Sequence, residues 1–211
     1  MAYPTNWPQD VTDLANRVMS KIGEIQRFTD IDTDTTDNGV IVRDALYDTI
    51  RDTQSSFQWP ELETLSTIST ADATFDNSGD EYPYDYRFSL PDDYLRPINE
   101  ELYRYKISGD YIYADVSSDL DFHYIAYNET VTDWSAALYR AVVYRTAIEV
   151  CMQITQSNEI KQSLLGEYEQ IVRPECFRVS SQNMEHPNTR RRQRGVYSNT
   201  RNGYWGLRLY K

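Results

Sequence analysis

Chemistry in this chain would have to come from its 33 acids, two histidines, two cysteines or 21 lysines and arginines, so their spacing decides what is open. Asp30, Asp32 and Asp34 alternate within "DIDTDTTDNG" as the oxygen ligands of a calcium loop do. A calcium loop starting at Asp30 needs glycine where Thr35 stands and a bidentate glutamate where Ile41 stands; one starting at Asp32 meets Thr36 and Asp37 at the critical places. The stretch therefore reads as turn and cap formers between two helices. His123, His186, Cys151 and Cys176 are widely spread, with no CxxC or HxxxH, so zinc ligands on adjacent turns cannot be assembled. Cys151 falls in an apolar helical run, the setting of a reduced structural thiol rather than of a nucleophile, and His123 is out of phase with Phe122 and Tyr124, which gives it a surface or edge position. Asp92 with Asp93 and Glu100 with Glu101 have the residue types of a glycosidase pair, but acids beside Pro91 belong to turn chemistry, and 33 acids make such pairs inevitable. No phosphate-binding loop, GxGxxG or GxSxG occurs. No catalytic residue, cofactor or metal is expected.

One feature is electrostatically sharp. Seven Arg/Lys, at 190, 191, 192, 194, 201, 208 and 211, follow His186 without a single acid, so the first 185 residues carry 14 − 33 = −19. Arg190, Arg191, Arg192 and Arg194 are interleaved with or followed by Tyr197, Tyr204, Trp205 and Tyr210. Three readings are open: a nucleic-acid arm with arginines on phosphates and rings on bases, a docking arm built from the residue types that dominate protein interfaces, or a solvated tail. The stretch lacks period and is expected to be disordered alone in solution. The acidic remainder argues against non-specific DNA binding by the folded part.

The elements that would position these groups follow from periodicity. Val11, Leu14, Ala15, Val18, Met19, Ile22 and Ile25 predict a first helix over about 10–27, and Val42, Ala45, Leu46, Ile50 and Phe57 a second over about 39–58 that stops before Pro60. The period then changes to two. "LETLSTIST" is a strand; "EYPYDYRFSL" puts Tyr82, Tyr84, Tyr86, Phe88 and Leu90 on one face; "LPDDYLRPI" is a turn; "LYRYKISGDYIYA" is a hairpin about Ser108-Gly109-Asp110; and Leu120, Phe122, Tyr124 and Ala126 alternate in a last strand. "WSAALYRAVVYRTAIEVCMQI", with Thr132 or Asp133 as its N-cap, predicts a central buried helix, and a fourth runs over about 156–172 until Pro174. Strands bracketed by helices without alternation give an α+β fold with an antiparallel sheet. The predicted organisation is a four-helix body, its first half in 1–60 and its second in 129–174, with an inserted antiparallel β domain at 61–128 and an extended basic C-terminal arm at 175–211. Mean hydropathy is −0.68, no run approaches the roughly 20 apolar residues of a membrane span, and "MAYPTNWPQD" lacks the pattern of a signal peptide, so a soluble protein made in a reducing cytoplasm is expected.

The pieces "SKIGE", "ALYDTIRDTQSSFQWPELETLSTIST", "YRFSLPDDYLRPI", "YKISGDYIYAD", "LDFHYIAYNETVTDWSAALYRAVVYRTAIEVC" and "LLGEYEQIV" occur in order over about residues 12 to 172. Together they resemble the tail tubular protein A family, the head-to-tail adaptors (connectors) of short-tailed bacteriophages. The residues after Pro174 are not covered by this resemblance. The resemblance implies a structural virion protein of the tail or neck, made in the bacterial host cytoplasm, with about twelve copies forming a closed ring below the portal protein. Such a ring extends the DNA channel, lets the genome pass without specific binding, and anchors tail nozzle and tail fibre proteins. On that reading the even face of "EYPYDYRFSL" packs in the β-domain core, Tyr103, Tyr105, Tyr111 and Tyr113 are candidates for contacts with tail parts or neighbouring subunits, and the basic arm reaches the portal. Two other classes stay open: a DNA-binding packaging accessory acting through the arm, and a virion-associated glycan hydrolase.

Overall fold

The computed structural model describes residues 8–69, 71–75, 83–98 and 105–183. These residues form a mixed α+β fold of four helices and two small antiparallel sheets, in the order helix, helix, strands, helix, helix. α1 spans Val11–Lys21, α2 Asp37–Ser56 and α3 Ala136–Ile154. The fourth helix is built from α4 (Asn158–Glu167), a π-helical turn (Tyr168–Val172) and α5 (Arg173–Asn183). None of these helices is long and apolar enough to cross a membrane.

Local chemistry sets each boundary. The Asp10 carboxylate accepts from the Asp13 amide at 2.8 Å and caps α1. Its other end lies at Lys21, six residues short of the expected stop. Gly23 takes φ +85°, its amide donates to the Ser20 carbonyl, and the Glu24 amide donates to the Met19 carbonyl, a Schellman closure that ends the helix. Ile25, expected on the apolar stripe, is consequently 91% exposed. Thr36 caps α2 and is itself held by the Asp34 carboxylate, so the alternating aspartates serve the turn before the helix. α3 is capped by Ser135, two residues beyond Asp133, because Val131–Asp133 winds into a 3-10 turn first.

Pro174 does not end the fourth helix. A proline inside an α-helix lacks a donor and collides with the carbonyl four residues back. Here the wider π turn, in which the Arg173 amide reaches the Tyr168 carbonyl, makes room, and the helix continues to Asn183. Residues 175–183, expected at the start of an extended arm, are therefore helical and return to the body. Cys176 is buried with its thiol facing the Ala137 carbonyl, the Ser180 hydroxyl accepts from the Gln58 amide at 3.1 Å, and Phe177 meets Phe57 edge-on at 5.1 Å.

The strands form two three-stranded sheets rather than one. β1 (Glu63–Ile68), β6 (Leu120–Ala126) and β3 (Tyr94–Pro97) pair in that spatial order, and β2 (Tyr86–Ser89), β5 (Tyr111–Ala114) and β4 (Tyr105–Ser108) make the other. The Leu90-Pro91 turn is present, closed by the Tyr94 amide on the Pro91 carbonyl, and leads into β3. Pro97, which cannot donate to a ladder, sits on that edge strand. Gly109 takes φ +60° between β4 and β5, as the hairpin requires. The sheets pack face to face through Phe88, Ile112, Ala114, Leu120, Phe122, Tyr124 and Ala126, with Tyr86 and Leu90 against them. The even face of the tyrosine strand thus points into the β core for Tyr86, Phe88 and Leu90, whereas Tyr84, ahead of β2 and half-exposed, is not among the residues of that core; Tyr82 lies outside the described residues. His123, expected at a surface or edge, is on β6, the central strand of its sheet, where its Nε2 lies 2.7 Å from the Glu63 carboxylate.

The two layers share a core. Leu62, Ile98 and Ile125, from the strand region, are buried in the same cluster as Leu14, Leu46, Leu138 and Val142 of the helices. At the crossing point the fully buried Gln54 donates from Nε2 to the Asn128 carbonyl at 2.7 Å and accepts from the Asn128 amide at 3.0 Å. The indoles of Trp134 and Trp59 donate to the carbonyls of Asn128 and Thr53 at 3.1 and 2.9 Å, and the Glu61 carboxylate accepts from the Ser135 amide at 2.9 Å. Gln54→Leu leaves the part-buried Asn128 amide without its side-chain partner and is expected to cost about 1–3 kcal/mol, read as a lower urea midpoint at unchanged slope. Excising residues 62–127 strips Ile98 and Ile125 from the shared core, so circular dichroism of the shortened chain is expected to show the helical signal lost along with the strands.

Candidate assembly surfaces

The pleat assigns the four tyrosines of the sequence reading to different places. Tyr105 lies on the inner side of β4, where its ring meets Phe122 edge-on at 5.7 Å within the β core. Tyr111 and Tyr113 face the other way on β5, since Ile112 and Ala114 take the inner positions. Tyr113 is nonetheless 6% exposed, because Phe75 packs edge-on to it at 5.6 Å. Tyr111 is half-buried beneath the Arg87 guanidinium, which stands 4.2 Å above its ring. Tyr113 is therefore spent inside the fold, while Tyr105 and Tyr111 are both half-buried, the first against the β core and the second on the outer face beneath Arg87. Tyr103 lies outside the described residues, as do Arg190, Arg191, Arg192, Arg194, Tyr197, Tyr204, Trp205 and Tyr210.

Arg87 organises this outer face, and sequence reading missed it. Its guanidinium lies over both Tyr111 and Phe75 and donates to the Asp72 carboxylate from Nε at 3.1 Å and from Nη2 at 2.5 Å, while the Asp72 amide returns to the Arg87 carbonyl. Asp72 also accepts from the Thr74 hydroxyl and amide at 2.7 and 2.9 Å. Hydrogen bonds from Thr74, and then the Arg87 guanidinium, pull the Asp72 pKa down from 3.8 to about 2. A depressed carboxylate stabilises the fold above its ordinary pKa, and that contribution fades as pH falls through the folded value. The clamp is therefore expected to hold at pH 4 and to open only as pH falls towards about 2, followed by the ring-shifted resonances of Tyr111 and Phe75; in Asp72→Asn the same resonances should not titrate. Opening centred at the ordinary carboxylate value would contradict the clamp.

No group of three or more His, Cys, Asp or Glu among the described residues is placed to hold a metal ion. Both cysteines are buried free thiols, and burial raises the Cys176 pKa to about 11. Asp93 is structural: it accepts from the Tyr124 hydroxyl at 2.9 Å, and its carbonyl takes the Tyr127 amide at 2.6 Å. Glu100 and Glu101 lie outside the described residues.

Two grooves of the helical layer are lined by described residues. One, of about 430 Å³, lies between α1 and α3 and is lined by Arg17, Ser20, Lys21, Tyr139 and Val143. Arg17 stands over the Tyr139 ring at 5.5 Å and Lys21 over Tyr144 at 4.3 Å; Lys21 donates to the Tyr144 hydroxyl, which donates in turn to Glu167, each at 2.7 Å. The other, of about 630 Å³, lies between α2, α3 and the fourth helix, with Asp48, Asp52, Glu149 and Glu169 among its walls beside Arg145 and Lys161. Arg145 approaches Asp52 at 3.8 Å. At 3.6 residues per turn, the α3 residues of the first groove and those of the second point roughly 150° apart, so the grooves open on opposite sides of the helical layer. The helical spacing of Arg17 and Lys21, and of Asp44, Asp48 and Asp52, was the available sequence signal.

No protein-family model matches this chain, and no curated protein matches it.

Proposed function

We propose that the chain is a structural virion protein, a head-to-tail adaptor that forms a ring below the portal, extends the DNA channel and anchors tail nozzle and fibre proteins. The observation that carries this reading is where the pieces of the family resemblance fall. The "IGE" stretch is the Schellman closure of α1, Trp59 is fully buried at the crossing between layers, Leu90-Pro91 is the turn before β3, and Ile107-Ser108-Gly109 closes the β4–β5 hairpin. Each is a position where a change of residue type would alter the backbone path or the junction, which is how a shape-bearing protein rather than a catalyst uses its distinctive residues.

Physical features fit the role. A sheet layer fixed to a helical layer by a common core makes a stiff wedge, and stiffness is what a ring subunit needs to hold a constant angle to its neighbours. The −19 charge of residues 1–185 repels DNA phosphates, so a channel lined by such bodies lets a genome slide. The +7 C-terminal segment, with Tyr197, Tyr204, Trp205 and Tyr210, is the portal-binding arm in this proposal; its aromatic rings supply affinity and its arginines set on-rate and salt sensitivity.

Electron microscopy of the protein mixed with its portal is expected to show closed rings on the portal's tail side. Truncation after Asn183 spares Cys176 and Ser180 and should leave a folded body that no longer joins, with Trp205→Ala weakening joining more than Arg191→Ala. Unimpaired joining by the truncated chain, together with salt-dependent DNA affinity that tracks the arginines, would move the segment to a DNA-binding packaging role.

A further inference from the structure

Copies of a body carrying −19 repel one another, so a ring of them closes only where unlike charges are brought together locally. The two grooves of the helical layer supply such a pair. On one side Arg17 and Lys21, four residues apart on α1, are both exposed and are backed by the rings of Tyr139 and Tyr144. Arg27 adds a third cation beside them, holding the Ser20 hydroxyl at 2.8 Å. The acids nearby are Glu167, taken up by the Tyr144 hydroxyl, and Asp13, whose charge reaches Tyr139. On the other side α2 presents Asp44, Asp48 and Asp52 at intervals of four, all exposed on one stripe. Like charges at that spacing oppose helix formation. Among the described residues they are offset by Arg43, 3.5 Å from Asp44, by Arg145, 3.8 Å from Asp52, and by Arg51 and Lys161 in the same groove.

We propose that the cationic groove between α1 and α3 receives the aspartate stripe on α2 of a second copy of this chain. Arg17 and Lys21 meet Asp44 and Asp48 of the neighbour, with the faces of Tyr139 and Tyr144 fixing the cations in position before contact. The two surfaces are different and lie on opposite sides of the layer, so the contact is head-to-tail and an open run of copies keeps one unused surface of each kind, at its two ends, until the ring closes. Salt screens the ion pairs of the contact and so loosens it, and the net repulsion of residues 1–185 keeps it weak between isolated copies. The inference rests on the ring reading above, which supplies the second copy.

Three versions of the full chain test it: wild type, Arg17→Glu with Lys21→Glu, and Asp44→Lys with Asp48→Lys. Sedimentation equilibrium at low ionic strength should show self-association of the wild type that disappears at high salt, and each reversal should weaken it about tenfold or more, the scale on which close charge pairs couple across interfaces. Mixed in equal amounts, the two reversal variants should associate beyond dimers, since the intact surfaces pair and the reversed ones are also complementary, whereas a mixture of Arg17→Gln with Lys21→Gln and Asp44→Asn with Asp48→Asn should stop at dimers. A chain carrying all four reversals should associate again. Where a reversal variant fails to fold by circular dichroism, the neutral pairs Arg17→Gln with Lys21→Gln and Asp44→Asn with Asp48→Asn carry the same comparison. A wild type that is monomeric throughout overturns the pairing. So does loss of association in the aspartate variant alone, which assigns the stripe to the basic C-terminal segment. Rings that form on the portal regardless of both reversals sink this contact and leave the adaptor standing, whereas head-to-tail association without portal rings does the reverse.

Discussion

The side chain of Gln54 is a peptide group in the wrong place, and the architecture turns on it. Two long excursions of the chain meet at the end of β6, where strand geometry gives way to the turn before α3, and a half-buried backbone leaving a sheet loses the ladder partners of its donor and acceptor. Gln54, 0% exposed on α2, offers Asn128 an amide of matching polarity at 2.7 and 3.0 Å, so the last step of the sheet is completed by a helix. Trp134 and Trp59 close over the same point and donate to backbone carbonyls of opposite layers. Apolar contacts alone would let the layers slide, because the hydrophobic effect has no direction. The pair of hydrogen bonds between Gln54 and Asn128, and the one from the Ser135 amide to Glu61, give the junction a direction.

Much of this was legible in sequence. The apolar periods of α1 to α3, the change to period two after Pro60, the Gly109 hairpin and the inward run of Tyr86, Phe88 and Leu90 follow from local spacing, which is a property of neighbouring residues. What sequence did not reveal depends on partners far along the chain. Gln54 reads as one more polar residue on a helix until Asn128 is seen beside it. Pro174 is a helix stop by every local rule, and only the chance to bury Val172, Cys176 and Ser180 against the body makes a π turn worth its poorer hydrogen bonds. Tyr113 carries the same residue type as Tyr111 and lies on the same face of β5, yet the loop bearing Phe75 covers one far more than the other.

Charge is organised on the same principle of distant juxtaposition. The net value says only that the body is acidic. The fold gathers Arg17 and Lys21 on one flank and Asp44, Asp48 and Asp52 on another, and it reserves Arg87 for an internal clamp on Asp72. Surface cations are scarce on such a body, so where they are left facing solvent carries more information than how many there are.

The mooring of the fourth helix has a mechanical consequence. Past the π turn, Ser180 is tied to the Gln58 amide and Phe177 to Phe57, both within four residues of Gln54. The same stretch is moored to α3 through the Arg140–Glu175 ion pair and through Cys176 against the Ala137 carbonyl, so tension on the end of this helix is shared between α3 and the elbow between the layers. A partner that grips the end of this helix therefore loads the central helix and the junction with the sheets together.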